Sequence, residues 1–179
     1  AAVAIEDLDP ELHRLLGTRP CLWPPSLSER GVVVGMEADV GSTLGMWLAR
    51  RLGGSAPMYT EVFTFDQEAN CLLFGHAGMH DPALAGGGEV VVVPDAEYAA
   101  ADPVQGAWQS FTARPGQVTA VSLFAGLPAG QGGSPRVGRI ACLQGEVLPT
   151  RAKLAGFPHA LVRIHRPLGE FFERAGRLG

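Results

Sequence analysis

From Ala56 onward the chain runs in short apolar stretches broken by turn signals, and that punctuation restricts it to a β-rich fold. Residues 59–65 alternate as a strand. The polar segment Asp66-Gln67-Glu68-Ala69-Asn70 then turns the chain into residues 71–74, which makes a hairpin. Gly86-Gly87-Gly88 leads into a strand over 89–93. Phe111-Thr112-Ala113 precedes a Pro115-Gly116 turn and a strand over 118–124. Residues 126–133 read as a flexible loop, 139–147 and 160–164 as further strands, and 168–178 as a short terminal helix. Six or more short strands at this spacing predict a closed barrel or a sandwich.

The first 55 residues follow a different pattern. Asp9-Pro10-Glu11 reads as N-cap, N1 and N2 of a helix through Leu12, Leu15 and Leu16, with Gly17 as its stop. Pro20, Pro24 and Pro25 hold an extended or turning segment, and Val32-Val33-Val34 reads as a buried strand. Leu44, Trp47, Leu48 and Leu52 then recur at helical spacing up to Gly53-Gly54. Strand, acidic loop and helix form an α/β unit, in which ligands gather at the carboxyl end of the strand, where Glu37 lies. The predicted organisation is therefore a remnant of an α/β domain over 1–55 and a β-barrel domain over 56–179. The opening Ala1-Ala2-Val3-Ala4, without Met, reads as the start of a piece of a longer protein.

Composition excludes several classes. The net charge is −4 and the basic residues are dispersed, which argues against nucleic-acid binding. Cys21, Cys71 and Cys142 are odd in number and far apart, so the sequence predicts neither a disulfide framework nor a zinc knuckle, and a reducing cytoplasm is the default. No apolar run of about 18 residues and no leader pattern is present, so neither a membrane span nor a signal peptide is predicted.

The residues able to carry chemistry are few. Glu37, Glu61 and His159 are widely spaced, but two carboxylates and an imidazole would form a hard-to-borderline site with open positions, suited to Mn²⁺ or Mg²⁺ rather than structural Zn²⁺. Each also has a plain structural explanation: a helix N-terminal acid for Glu37, an edge position for Glu61, a structural hydrogen bond for His159. His76 and His80 stand four residues apart, but Gly75 and Gly78 argue against a helix between them. They read as part of a loop at a strand end, with His76 a candidate sugar contact. Residues 126–133 lack the end and helical continuation of a phosphate-binding loop, and there is no G-x-S-x-G.

Taken in order, these segments resemble the C-terminal part of the L-fucose isomerase / L-arabinose isomerase family, closest to its fucose-isomerase-like branch. Gly35-Met36-Glu37-Ala38-Asp39-Val40 is similar to the family's acidic segment before a helix, and Glu61 follows 24 positions later, the family's spacing. Fucose isomerases proper carry Asp at that second place. Asn70-Cys71-Leu72-Leu73-Phe74-Gly75-His76, Arg114-Pro115-Gly116-Gln117-Val118-Thr119, Gly145-Glu146-Val147 and Phe157-Pro158-His159 resemble its later segments. Met36 departs from the usual small or Cys residue.

The resemblance implies Mn²⁺ held by Glu37, Glu61 and His159, a six-stranded Greek-key barrel preceded by the tail of an α/β domain, and missing N-terminal domains that complete a sugar pocket. It implies a homo-oligomeric parent that interconverts an aldose and a ketose, with Glu37 and Glu61 also as acid/base groups. The competing class is a non-catalytic sugar-binding or oligomerising barrel.

Overall fold

The computed structural model describes residues 1–95, 106–124, 139–151, 154 and 156–176. The loop expected over 126–133 and the last residues of the terminal helix lie outside them. Among the described residues there are nine strands and four α-helices. None of the helices in the described residues is long and apolar enough to cross a membrane.

The N-terminal part pairs β1 (Ala2–Ala4) in parallel with β2 (Val33–Gly35), in the register Ala2 to Val33 and Ala4 to Gly35. β1 was not foreseen, since three small residues carry no periodicity. Helix α1 (Pro10–Leu16) has the expected ends: the Asp9 carboxylate accepts from the Glu11 amide, and Gly17 stands at φ 73°. A short α2 (Pro25–Glu29) opens on the Pro24-Pro25 pair that had read only as an extended or turning segment.

Helix α3 (Val40–Gly53) is capped by Asp39, whose side chain accepts from the Ser42 amide, and it stops at Gly54 in the left-handed region. Its buried residues are Thr43 and Gly45, whereas Leu44 and Leu52 of the apolar stripe are 49% and 88% exposed. Small residues decide the packing because they allow close approach. Gly35 of β2 has no side chain where Thr43 sits, and Gly45 lies against Leu123.

The main sheet has the order β3-β4-β9-β8-β7 and is antiparallel throughout. Its strands are β3 (Glu61–Asp66), β4 (Cys71–Gly75), β7 (Gly116–Phe124), β8 (Arg139–Leu148) and β9 (His159–Ile164). Strands β5 (Val91–Pro94) and β6 (Ala107–Ser110) form a separate pair. β7, β8 and β9 are neighbours in chain order, and β4 lies on the far side of β9. Five strands rather than six join this sheet, and the pairing leaves β3 and β7 as its edges among the described residues.

The core beneath the sheet gathers Leu72, Val147, Val162, Ile164 and Leu168, joined by Phe171 from α4 (Leu168–Ala175). A smaller cluster joins Cys21, Ala77 and Trp108, with Val93 and Phe157 against it.

Candidate metal centre

Glu37 stands just past β2 in an unusual backbone. Its φ is 59° and that of Ala38 is 52°, both left-handed, where a side chain costs roughly 1–2 kcal/mol per residue. Three hydrogen bonds hold this turn against the N-terminal segment: Ile5 N–H to the Gly35 carbonyl (2.9 Å), Ala38 N–H to the Ile5 carbonyl (2.7 Å), and Glu37 N–H to Asp7 Oδ1 (2.8 Å). A residue forced into strained backbone and over-determined by its surroundings is a mark of functional sites.

Glu61 and His76 are brought together by strand register. Glu61 opens β3 directly opposite Gly75, the last residue of β4, and His76 follows at once. Glycine is required at 75, since a Cβ there would run into Leu154 and the Pro158 carbonyl. The result is a group of three: one carboxylate oxygen from Glu37, one from Glu61 and a ring nitrogen of His76 lie within 4.8 Å of one another.

The His76 ring is buried and oriented. Its Nδ1 lies 2.6 Å from the Ala77 carbonyl, which can only accept, so Nδ1 carries a proton. In the neutral ring this leaves the Nε2 lone pair 3.5 Å from Glu37 Oε1. Backbone fixing of one imidazole nitrogen so that the other is presented is the usual arrangement behind a metal-ligating His. Tyr59 stands edge-on to this ring, with centroids 4.7 Å apart, and its hydroxyl donates to Asp39 Oδ2 at 3.5 Å. Burial first, then the Glu37, Asp39 and Glu61 carboxylates, push the Tyr59 hydroxyl well above its ordinary range, so it stays protonated. For Asp39, burial raises the carboxyl, but hydrogen bonds from Ser42, Gly41 and Tyr59 outweigh it and leave it below the usual value.

Two carboxylates facing each other repel unless a cation or proton lies between them. The donor set here, two carboxylates and one imidazole with Glu61 exposed to solvent, fits a divalent cation with open coordination positions.

Of the residues singled out by sequence, the structure thus joins Glu37, Glu61 and His76. His159 is not in this group. It lies opposite Gly75 on the other side of β4, two strands from Glu61 in the same row, a span of about 10 Å. Its Nδ1 meets the Phe157 carbonyl at 2.8 Å and its Nε2 meets Thr112 Oγ1 at 3.4 Å. His80 is buried behind the site, with Nε2 2.9 Å from the Tyr59 carbonyl and Nδ1 3.3 Å from that of Gly78. Tyr59 and Asp7 gave no sequence signal: one precedes a strand, the other sits in a loop 30 residues before the residue it holds.

No family model matches this chain. It is similar to the sulfoquinovose isomerases of Priestia aryabhattai and Priestia megaterium (strain ATCC 12872 / QMB1551), at 32% identity over 77 residues in each case. The match covers 42% of this chain and 17% of the length of either relative. The similarity is therefore to part of a sugar isomerase.

Proposed function

We propose that this chain is part of a metal-dependent aldose–ketose isomerase, with Mn²⁺ or Mg²⁺ held by Glu37, Glu61 and His76. The observation that carries the reading is the convergence of two carboxylates and an oriented imidazole on one point, with Glu37 held there in left-handed backbone. The likeness to two sulfoquinovose isomerases supports the sugar class. Because the chain spans 17% of the relatives' length, we assign the sugar pocket jointly to this chain and to further domains or subunits of a longer, homo-oligomeric protein.

A bound divalent cation supplies positive charge that stabilises the oxygens of C1 and C2 as the reaction proceeds. A carboxylate of the pair, Glu37 or Glu61, takes the proton from C2 as general base. The electron pair left behind forms the C1–C2 double bond of an ene-diol as O1 takes up a proton from water. The O2 hydroxyl then gives a proton back to water and the carboxylic acid returns its proton to C1, which completes the ketose. Tyr59, kept protonated, gives its one O–H donor to Asp39 Oδ2 and not to the two glutamates.

The five-stranded sheet is, on this reading, the open wall of a six-stranded Greek-key barrel over 56–179, and the β1–β2–α3 unit within 1–55 is the tail of an α/β domain. The free thiols of Cys21, Cys71 and Cys142 fit a reducing cytoplasm.

Calorimetric titration of the chain with Mn²⁺ tests the reading. One equivalent should bind, and Glu37→Gln or His76→Gln should weaken binding by more than about 100-fold, the upper range for supporting residues alone. The same substitutions in the longer protein should abolish turnover. A wild-type chain that binds no Mn²⁺, or variants that bind as wild type does, overturns it.

A further inference from the structure

We propose that Asp7 is a positioning residue for the metal centre: it holds the Glu37 backbone through a buried carboxylate, and Arg19 locks that carboxylate in place. The inference rests on the reading of Glu37 as a metal ligand.

The starting point is a group of charges that stability does not explain. Arg19 is buried between two carboxylates, Asp7 Oδ2 at 3.0 Å and Asp95 Oδ2 at 3.4 Å, and the three side chains are at most 2% exposed. Buried ion pairs commonly return no more than their desolvation takes away, and apolar replacements of similar volume are often neutral or better. A reason other than stability is needed for keeping them.

Asp7 supplies one. All its acceptors are engaged. Its backbone carbonyl receives Arg19 Nε at 3.0 Å and stands 2.7 Å from His13 Nε2. Its Oδ2 receives Arg19 Nη2, which leaves Oδ1 aimed at one group, the Glu37 amide, at 2.8 Å. That amide belongs to the first of the two left-handed residues. The turn is unfavourable by itself and has no glycine to ease it, so an external acceptor at this amide decides whether the Glu37 carboxylate points at Glu61 and His76. Arg19 makes the acceptor rigid by holding the carboxylate and the backbone of the same residue.

The test compares two isosteric variants. An aspartate presents one oxygen to Arg19 and another to Glu37, whereas asparagine has a single oxygen and cannot serve both. Asp95→Asn removes the same charge from the same network without touching Glu37. Amide hydrogen exchange at Glu37, measured without metal, and calorimetric Mn²⁺ affinity are read for both. We expect Asp7→Asn to speed Glu37 exchange and raise the Mn²⁺ dissociation constant about tenfold, as loss of an outer-shell partner does, with Asp95→Asn changing neither. Unchanged exchange and affinity in Asp7→Asn, or equal changes in both variants, overturns the proposal.

Should wild type bind no Mn²⁺, the metal reading falls, and Glu37 exchange alone still decides whether Asp7 holds the turn. If Asp7→Asn does not fold, the triple replacement Asp7→Leu, Arg19→Met, Asp95→Leu removes the whole buried charge group. Glu37 exchange as in wild type in that protein overturns the proposal equally.

Discussion

Asn70 ties three elements together, and its removal should be felt well beyond its own turn. It sits between β3 and β4 at φ 54°, a left-handed position that Asn tolerates better than Ala. Its Nδ2 donates to the carbonyls of Ile164 (2.8 Å) and Arg166 (3.0 Å), and its Oδ1 accepts the Leu168 amide (2.9 Å). The last bond caps α4, because Pro167 at the N-cap position makes no side-chain cap bond. Each bond contributes about 1 kcal/mol net, and the one to Arg166 less because it faces solvent, so the three sum to roughly 2–3 kcal/mol. Alanine adds about 1 kcal/mol of left-handed strain, which puts Asn70→Ala at roughly 3–4 kcal/mol of destabilisation. Asn70→Gly loses the same bonds without that strain, and after an entropic cost of about 0.4–1 kcal/mol should be level with the alanine variant or up to about 0.5 kcal/mol above it. Urea unfolding at constant m-value measures both, and amide exchange at Leu168 should accelerate in both. An alanine variant within about 1 kcal/mol of wild type, or a glycine variant less stable than the alanine one, refutes the reasoning.

Ala38→Gly should change stability by less than about 0.5 kcal/mol, because relief of left-handed strain offsets the added unfolded-state entropy, whereas Ala49→Gly inside α3 should cost about 1 kcal/mol. Equal losses for the two in denaturant unfolding would contradict the strained turn. His80 makes stability depend on pH. Burial, with His76 nearby, lowers its pKa to about 4 against the carbonyls of Tyr59 and Gly78 and the Asp7 carboxylate, which favour the proton. The unfolded chain then binds a proton that the folded chain does not between about pH 6.5 and 4, so this contribution is intact above that window and is lost as pH falls through it. The depression corresponds to about 3 kcal/mol. Unfolding free energies at pH 7 and pH 4.5 for wild type and His80→Gln should show a steeper loss in wild type, and parallel losses would exclude His80 as the cause.

Local chemistry made much of the fold readable. Asp9, Pro10 and Gly17 bound α1 as their side chains require, and Gly53-Gly54 ends α3. The β3–β4 hairpin follows from alternating residues around a polar turn, and the strands β7, β8 and β9 begin within two residues of their expected starts. Elements whose cause is not local were missed. β1 is a strand because β2 offers it a partner, and β6 because β5 does. The apolar stripe of α3 recurs at the expected spacing, yet Leu44 and Leu52 within it are exposed. What its neighbours require is the small face of Thr43 and Gly45, and a pattern of large residues does not report where small ones permit contact.

The candidate site divides along the same line. Glu37 and Glu61 were legible because an acid after a buried strand and an acid opening a strand are both out of place by propensity. Choosing between His76 and His159 depended on a fact of register. Both flank the same Gly75, His76 as its chain neighbour and His159 as its partner across the β4–β9 ladder. The residue next along the chain shares the β3 side of the hairpin with Glu61, while the cross-strand partner is carried one strand further off and turns its ring to Phe157 and Thr112. A one-residue slip of the β3–β4 hairpin would move Glu61 to the other face and leave Glu37 with His76 alone. The bulge between Val62 and Thr64, the hydrogen bonds of Asn70 and the missing side chain at Gly75 therefore act through register on the grouping of Glu37, Glu61 and His76, although none of these residues belongs to it.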